Sequence, residues 1–194
     1  MADDTDGAGN FESDARELVN GVLAGRAVTE IYLGRLGATE TRLRIRDGFD
    51  QGACLVSYLG HGGIHLWAHE NLFNTNAVDS LLEQPKQPLL LTMNCLNGYF
   101  HFPFFDSLGE AMVKAEGKGA IAAFSPSGLS LHGPAQRYHE ALLHELLHGG
   151  HERLGDAVLA AQAAYIETGA FPDLLTIYHL FGDPALVSSP SPER

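Results

Sequence analysis

The run Gly52-Ala53-Cys54-Leu55-Val56-Ser57-Tyr58-Leu59, closed by Gly60-His61-Gly62-Gly63, decides how this chain folds. It has the length of a strand, is apolar almost throughout, and ends in turn residues. Pro88-Leu89-Leu90-Leu91-Thr92-Met93, closed by Asn94-Cys95-Leu96-Asn97-Gly98, repeats the pattern. Apolar strands without polar alternation belong to parallel sheets covered by helices on both faces. Loops past the carboxyl ends of such strands share one rim, so the imidazole of His61 and the thiol of Cys95 are expected to meet there.

Working outward, Ser13 or Asp14 caps a helix through about Leu23, and Ala27 to Leu33 reads as a strand. A short helix near Thr41 to Phe49 precedes the first central strand. Helices are then predicted over Asn76 to Leu82, Ser107 to Ala115, Pro134 to Leu147 and Leu154 to Thr168, with a strand over Gly119 to Phe124. Leu174 to Phe181 leads to a closing turn at Gly182-Asp183-Pro184. The alternation implies one α/β domain over residues 1–187 with a mostly parallel sheet, and Ser188 to Arg194 read as a disordered tail.

A length of 194 residues suits one core, and no apolar run approaches the roughly 18 to 20 residues of a membrane span. Twelve basic against 24 acidic residues give a formal charge of -12 with no basic cluster, which argues against a nucleic-acid partner. Cys54 and Cys95 do not form a disulfide framework. The start, Met1-Ala2-Asp3-Asp4-Thr5-Asp6-Gly7, lacks the features of a secretory signal and fits the end of a strand that continues upstream.

A thiol attacks a carbonyl as the thiolate, and a neighbouring imidazole takes the proton or pairs with the anion. His61 and Cys95 can supply that chemistry. Gly62 lets backbone approach a substrate closely, so its N–H and that of Cys95 are candidate oxyanion donors. Cys54, within its strand, reads as packing only.

These motifs resemble the gingipain-type cysteine peptidases of the caspase-like clan, which carry a Tyr-x-Gly-His-Gly turn, a downstream Trp, and a Cys-x-Asn-Gly turn. Here they fall on Tyr58 to Gly62, on Trp67, and on Cys95, Asn97 and Gly98. The resemblance extends through Leu108-Gly109-Glu110-Ala111, Gly119 to Ala122 and Tyr178 to Pro184. It implies a caspase-like three-layer α/β/α sandwich, lacking its first strand in this chain. It also implies an endopeptidase in which Cys95 is the nucleophile and His61 the base, acting on peptide or protein substrates with a weak preference for Arg or Lys at the scissile position. By the same resemblance Asp3 would orient the histidine, and Asp14 and Trp67 would belong to the specificity pocket. The family departs from this chain at Gly63, where a small hydroxyl residue is usual. The implied chemistry needs no cofactor, calcium entering only as a structural ion, and the implied setting is secreted or cell-surface, as part of a larger precursor. The oligomeric state is left open.

Two other readings stand beside this one. The fold could serve as a catalytically inactive binding or secretion-accessory domain. His144-Glu145-Leu146-Leu147-His148 also satisfies the zinc-peptidase pattern, with two histidines one helical turn apart. However, Gly149-Gly150 ends that helix, no third ligand is evident, and Leu142, Leu143, Leu146 and Leu147 form its core stripe. The three motif residues are left on the opposite, wet face. His65, His69, His101, His132, His139 and His179 show no ligand spacing and read mostly as surface or loop residues. The aromatic run Tyr99 to Phe105 flanks the proposed site.

Overall fold

Leu90 and Ala123 pack to one side of a central sheet, while Leu91, Met93, Ala122 and Phe124 pack to the other. This period of two, along strands apolar on both faces, builds three layers. The computed structural model describes residues 1–84 and 86–187. In chain order the elements are α1 (Phe11–Asn20), α2 (Leu33–Asp50), β1 (Leu55–Leu59), β2 (Gly62–Gly63), β3 (Leu66–Trp67), β4 (Phe73–Asn74), α3 (Thr75–Asp79), β5 (Leu89–Met93), α4 (Leu108–Lys114), β6 (Ala122–Pro126), α5 (His132–His148), α6 (Leu154–Glu167), α7 (Leu174–Ile177) and β7 (Tyr178–Phe181).

The main sheet has the order β1-β5-β6-β7, with β1, β5 and β6 parallel and β7 antiparallel to β6. Residues of α1, α5, α6 and α7 cover one face. Residues of α2, α3, α4 and the small β2-β3-β4 sheet cover the other, so the expected α/β/α sandwich is what forms. Beyond β1, Ala2 bridges in parallel to Leu59 on one side and to Tyr32 on the other, so residues 1–3 extend the sheet beside the carboxyl end of β1. Among the described residues, no helix is long and apolar enough to cross a membrane.

Several local expectations are corrected. Asn10, not Ser13 or Asp14, caps α1, its side chain accepting from the Ser13 N–H, so the helix starts about one turn earlier than expected. The strand expected over 27–33 reduces to one bridge at Tyr32, because only Ala2 lies alongside it, and α2 starts at Leu33. That helix absorbs the segment before Thr41 and kinks at Gly37, whose φ of 70° a side chain would resist. Cys54 is exposed, not packed: β1 begins at Leu55, and only the Cys54 carbonyl joins the ladder, accepting from Leu89. The 188–194 tail lies outside the described residues. The hairpin sheet was not expected, since strands of two residues carry no periodicity to read.

Candidate active site

β1 and β5 pair in parallel with Leu59 opposite Met93, and His61 and Cys95 each stand two residues beyond that pair. Equal offset past paired strand ends delivers both side chains to the same rim. The turns touch through Gly62: a Cβ there would lie 2.3 Å from Asn94 Nδ2 and 2.7 Å from the Cys95 carbonyl oxygen. Only glycine permits that approach. After Cys95 the backbone turns through Leu96 at φ 64°, a left-handed conformation that leucine avoids and that the surrounding contacts must hold.

Asn97 fastens the two turns together. Fully buried, it accepts at Oδ1 from Trp67 Nε1 at 2.7 Å and from Asn94 Nδ2 at 2.6 Å. Its Nδ2 donates to the carbonyls of Gly63 and Leu66 at 2.5 and 3.1 Å. One side chain therefore joins the hairpin that follows His61 to the turn that carries Cys95. In the sequence Asn97 is only a motif position, with nothing to mark this role.

The His61 ring pairs through Nε2 with Asp6 Oδ2 at 2.8 Å. Asp6, not Asp3, is thus the acid at the ring. Asp3 is anchored at the sheet, where its N–H donates to the Leu59 carbonyl at 2.9 Å. From there its carboxylate accepts from the His61 backbone N–H at 2.9 Å and from the Tyr58 hydroxyl at 3.3 Å. Asp3 fixes the loop's main chain, and Asp6, farther out along the loop, reaches the imidazole. Burial raises the Asp3 pKa, opposed by the N–H groups of His61 and Asp4. The Asp6 pKa is lowered, first by the Ala8 N–H and then by His61. Nothing in the sequence separates these aspartates, since three of them crowd one glycine-bearing loop.

The Cys95 sulfur is half-buried beside Ser130, accepting from its N–H at 3.4 Å and donating to its carbonyl at 3.7 Å. Among the described residues no hydrogen bond joins it to His61, and the Cys95 N–H has no acceptor. Phe11 completes the rim, its ring edge-on to His61 at 5.4 Å and to His132 at 4.6 Å. Tyr178 lies behind, with its hydroxyl on Ser130 Oγ at 2.9 Å and its pKa raised by burial.

The pocket residues are placed differently from expectation. Trp67 is wholly buried, stacked on Tyr58 with centroids 4.5 Å apart, and so walls no open pocket; its flat ring fills the core beneath the hairpin. Asp14 reaches the rim but faces His132, with 2.6 Å between Oδ2 and Nε2. Neither His132 nor Phe11 carried a sequence signal. A cavity of about 860 Å³ follows the outer edge of β1 and contains neither His61 nor Cys95.

In the zinc-like motif, Glu145 binds His144 at 3.0 Å and His151 at 2.8 Å, while His148 meets the Val22 carbonyl at 2.8 Å. The motif histidines turn outward because Leu142 and Leu143 claim the buried face of α5. Among the described residues, no group of three or more His, Cys, Asp or Glu side chains is arranged to hold a metal. His139 departs from the surface reading: it is fully buried, with Nε2 2.8 Å from Ser57 Oγ.

The sequence profile of Peptidase family C25 matches residues 1–189. Gingipain R2 of Porphyromonas gingivalis is 33% identical over 79 residues, covering 41% of this chain and 10% of that protein. Gingipain R1 of the same organism matches equally over 8% of its length. The crystal structure of the Arg-specific cysteine proteinase gingipain R superposes with a TM-score of 0.79 at 22% identity, over 96% of this chain and 46% of that one. The complex of the RgpB pro- and mature domains gives 0.80 at 22% identity, over 96% and 48%. This chain therefore spans about a tenth of those curated relatives and about half of the solved ones, and the structural likeness shows the fold.

Proposed function

This chain belongs to peptidase family C25, and from that premise we propose that it is a cysteine endopeptidase with Cys95 as nucleophile and His61 as proton carrier. The observation that carries the reading is the Leu59–Met93 pairing, which sets imidazole and thiol at equal offsets on one rim. In the proposed cycle His61 takes the thiol proton and the thiolate attacks the scissile carbonyl carbon. The N–H groups of Gly62 and Cys95 hold the resulting oxyanion. The C–N bond breaks as His61 protonates the leaving amine, and a water activated by His61 then hydrolyses the thioester. Asp6 stabilises the imidazolium through each transfer. No step draws on a cofactor, and a calcium ion would enter only as a structural one.

The proposed substrates are peptides or proteins, with a weak preference for Arg or Lys before the scissile bond. That preference follows from family likeness and from Asp14 at the rim. The proposal includes a secreted or surface-attached setting within a larger protein, checked by locating the protein in culture fractions.

The test is cleavage of a peptide library with labelling by iodoacetamide, in a Cys54→Ser background so that only Cys95 reports. Labelling faster than that of a free thiol at neutral pH, and loss of cleavage in Cys95→Ala and His61→Ala, are expected. The absence of a direct His61–Cys95 hydrogen bond favours a second reading, a non-catalytic binding domain. No cleavage together with ordinary thiol reactivity would establish that reading instead. Inhibition by a zinc-selective chelator would favour the third, zinc-based reading.

A further inference from the structure

We propose that Tyr178 is a positioning residue for the nucleophile: its buried hydroxyl ties Ser130 to the turn that bears Cys95 and keeps the Ser130 N–H aimed at the sulfur. Its bearing on catalysis rests on the peptidase reading above. Ser130 offers the thiol two opposite contacts, an N–H at 3.4 Å and a carbonyl at 3.7 Å. A thiol can use the carbonyl as its acceptor, whereas a thiolate gains from the N–H and is repelled by the carbonyl oxygen. The orientation of this one residue therefore decides how readily the sulfur gives up its proton.

Ser130 lies between two residues turned to solvent, Leu129 and Leu131, which are 76% and 54% exposed. Its own side chain turns inward, with Oγ 2.9 Å from the Tyr178 hydroxyl, and that hydroxyl also lies 3.5 Å from the Asn94 carbonyl. Asn94 precedes Cys95, so one phenol oxygen spans the turn of the nucleophile and the loop of its N–H donor. The phenol is itself fixed. It is 2% exposed, stacked on Phe124 with centroids 5.5 Å apart and edge-on to Tyr138 at 5.5 Å. Sheet register sets it there, because Tyr178 opens β7 opposite Pro126, the last residue of β6, just before the Ser130 loop. Burial raises the phenol pKa, so the hydroxyl keeps its proton and remains able to donate.

The test follows alkylation of Cys95 by iodoacetamide, in the Cys54→Ser background, for Tyr178→Phe, Ser130→Ala and the double variant. Each single change deletes one hydroxyl and leaves the Ser130 N–H in the chain. At neutral pH each is expected to slow labelling by about fivefold, and the double variant no further than either alone, because both cut the same link. At about pH 10, where an accessible thiol ionises unaided, the deficit should disappear. Slowing that persists there would mean that the hydroxyl governs access to the sulfur, and additive slowing in the double variant would mean two unrelated effects. Either result overturns the proposal, as does labelling indifferent to both substitutions. If Tyr178→Phe does not fold, as judged by its thermal melt, Ser130→Ala decides alone on rate and pH dependence. The kcat/KM for a fluorogenic peptide should fall by a similar factor, and cleavage left untouched while labelling slows also overturns the proposal. A wild-type protein that cleaves no peptide, with the expected labelling pattern across the variants, refutes only the peptidase reading.

Discussion

The indole N–H of Trp67 donates to the side-chain oxygen of Asn97 across 2.7 Å, with both residues wholly buried. Through that bond and the two to the Gly63 and Leu66 carbonyls, the hairpin after His61 is held to the turn bearing Cys95. Asn97→Leu would orphan buried donors and acceptors on three segments at once. The expected loss is about 2–4 kcal/mol of unfolding free energy, read from urea denaturation. A loss under about 1 kcal/mol would show that the turns hold together without this hub.

Asp6 and Asp3 should separate by phenotype. Asp6→Asn removes the charge at the His61 ring and is expected to lower kcat/KM by tenfold or more, with little change in stability. Asp3→Ala leaves the His61 N–H without its acceptor, while the Tyr58 hydroxyl keeps the His61 carbonyl at 2.9 Å, so it should cost about 1–3 kcal/mol of stability. Kinetics and thermal melts on both variants check the assignment, and the opposite pattern would return the orienting role to Asp3.

Gly62→Ala tests the contact between the two turns. A methyl group there would press on the Asn94 amide, which is held by Asn97, and on the backbone carbonyl of Cys95. The expected outcome is a fall in kcat of about a hundredfold, because a displacement near 1 Å at a reacting pair has that order of effect. Retention of full activity would mean that the His61 turn need not sit against the cysteine turn.

Acid stability should carry the mark of His139. Its burial, and then the nearby amino terminus of Met1, lower its pKa to about 3, against about 6.5 in an unfolded chain. Between those values the unfolded state binds the extra proton, so stability falls as pH drops from about 6.5 toward 3, by up to about 1.4 kcal/mol per unit. Above that window the residue contributes no pH dependence. In His139→Gln the acid limb of a stability-against-pH curve should be shallower, and an unchanged slope would contradict the burial of a neutral imidazole.

The zinc-like motif should prove idle in catalysis. His144 is exposed and bonded to its neighbour Glu145, and His148 is bonded to the Val22 carbonyl. His144→Ala and treatment with 1,10-phenanthroline are each expected to leave peptide cleavage within about twofold of wild type, as for surface changes away from a site. Loss of cleavage in either case would reopen the metal reading.

The fold was legible wherever many residues voted together. Two uninterrupted apolar strands, amphipathic helices between them and turn residues at each end fix layers, strand direction and the rim on which His61 and Cys95 stand, because burial on both faces is written residue by residue in Leu55 to Leu59 and Leu89 to Met93. Segments that depend on one or two contacts were not legible. The span before Tyr32 is strand-like in composition yet gains only one bridge, and the β2-β3-β4 sheet is too short to leave a period.

At the candidate site, sequence sets the candidate residue types and their spacing, and tertiary structure sets their partners. Asp3, Asp6 and Asp14 look alike in the chain, but a sheet hydrogen bond fixes Asp3 under the loop, the loop carries Asp6 to the imidazole, and α1 turns Asp14 toward His132. Trp67 is placed in a specificity pocket by the family resemblance, but the core closes over it. Which strands are apolar is a local property of the sequence, whereas which acid meets which histidine depends on distances between segments far apart in the chain, and those exist only once the sheet and its covering helices have packed.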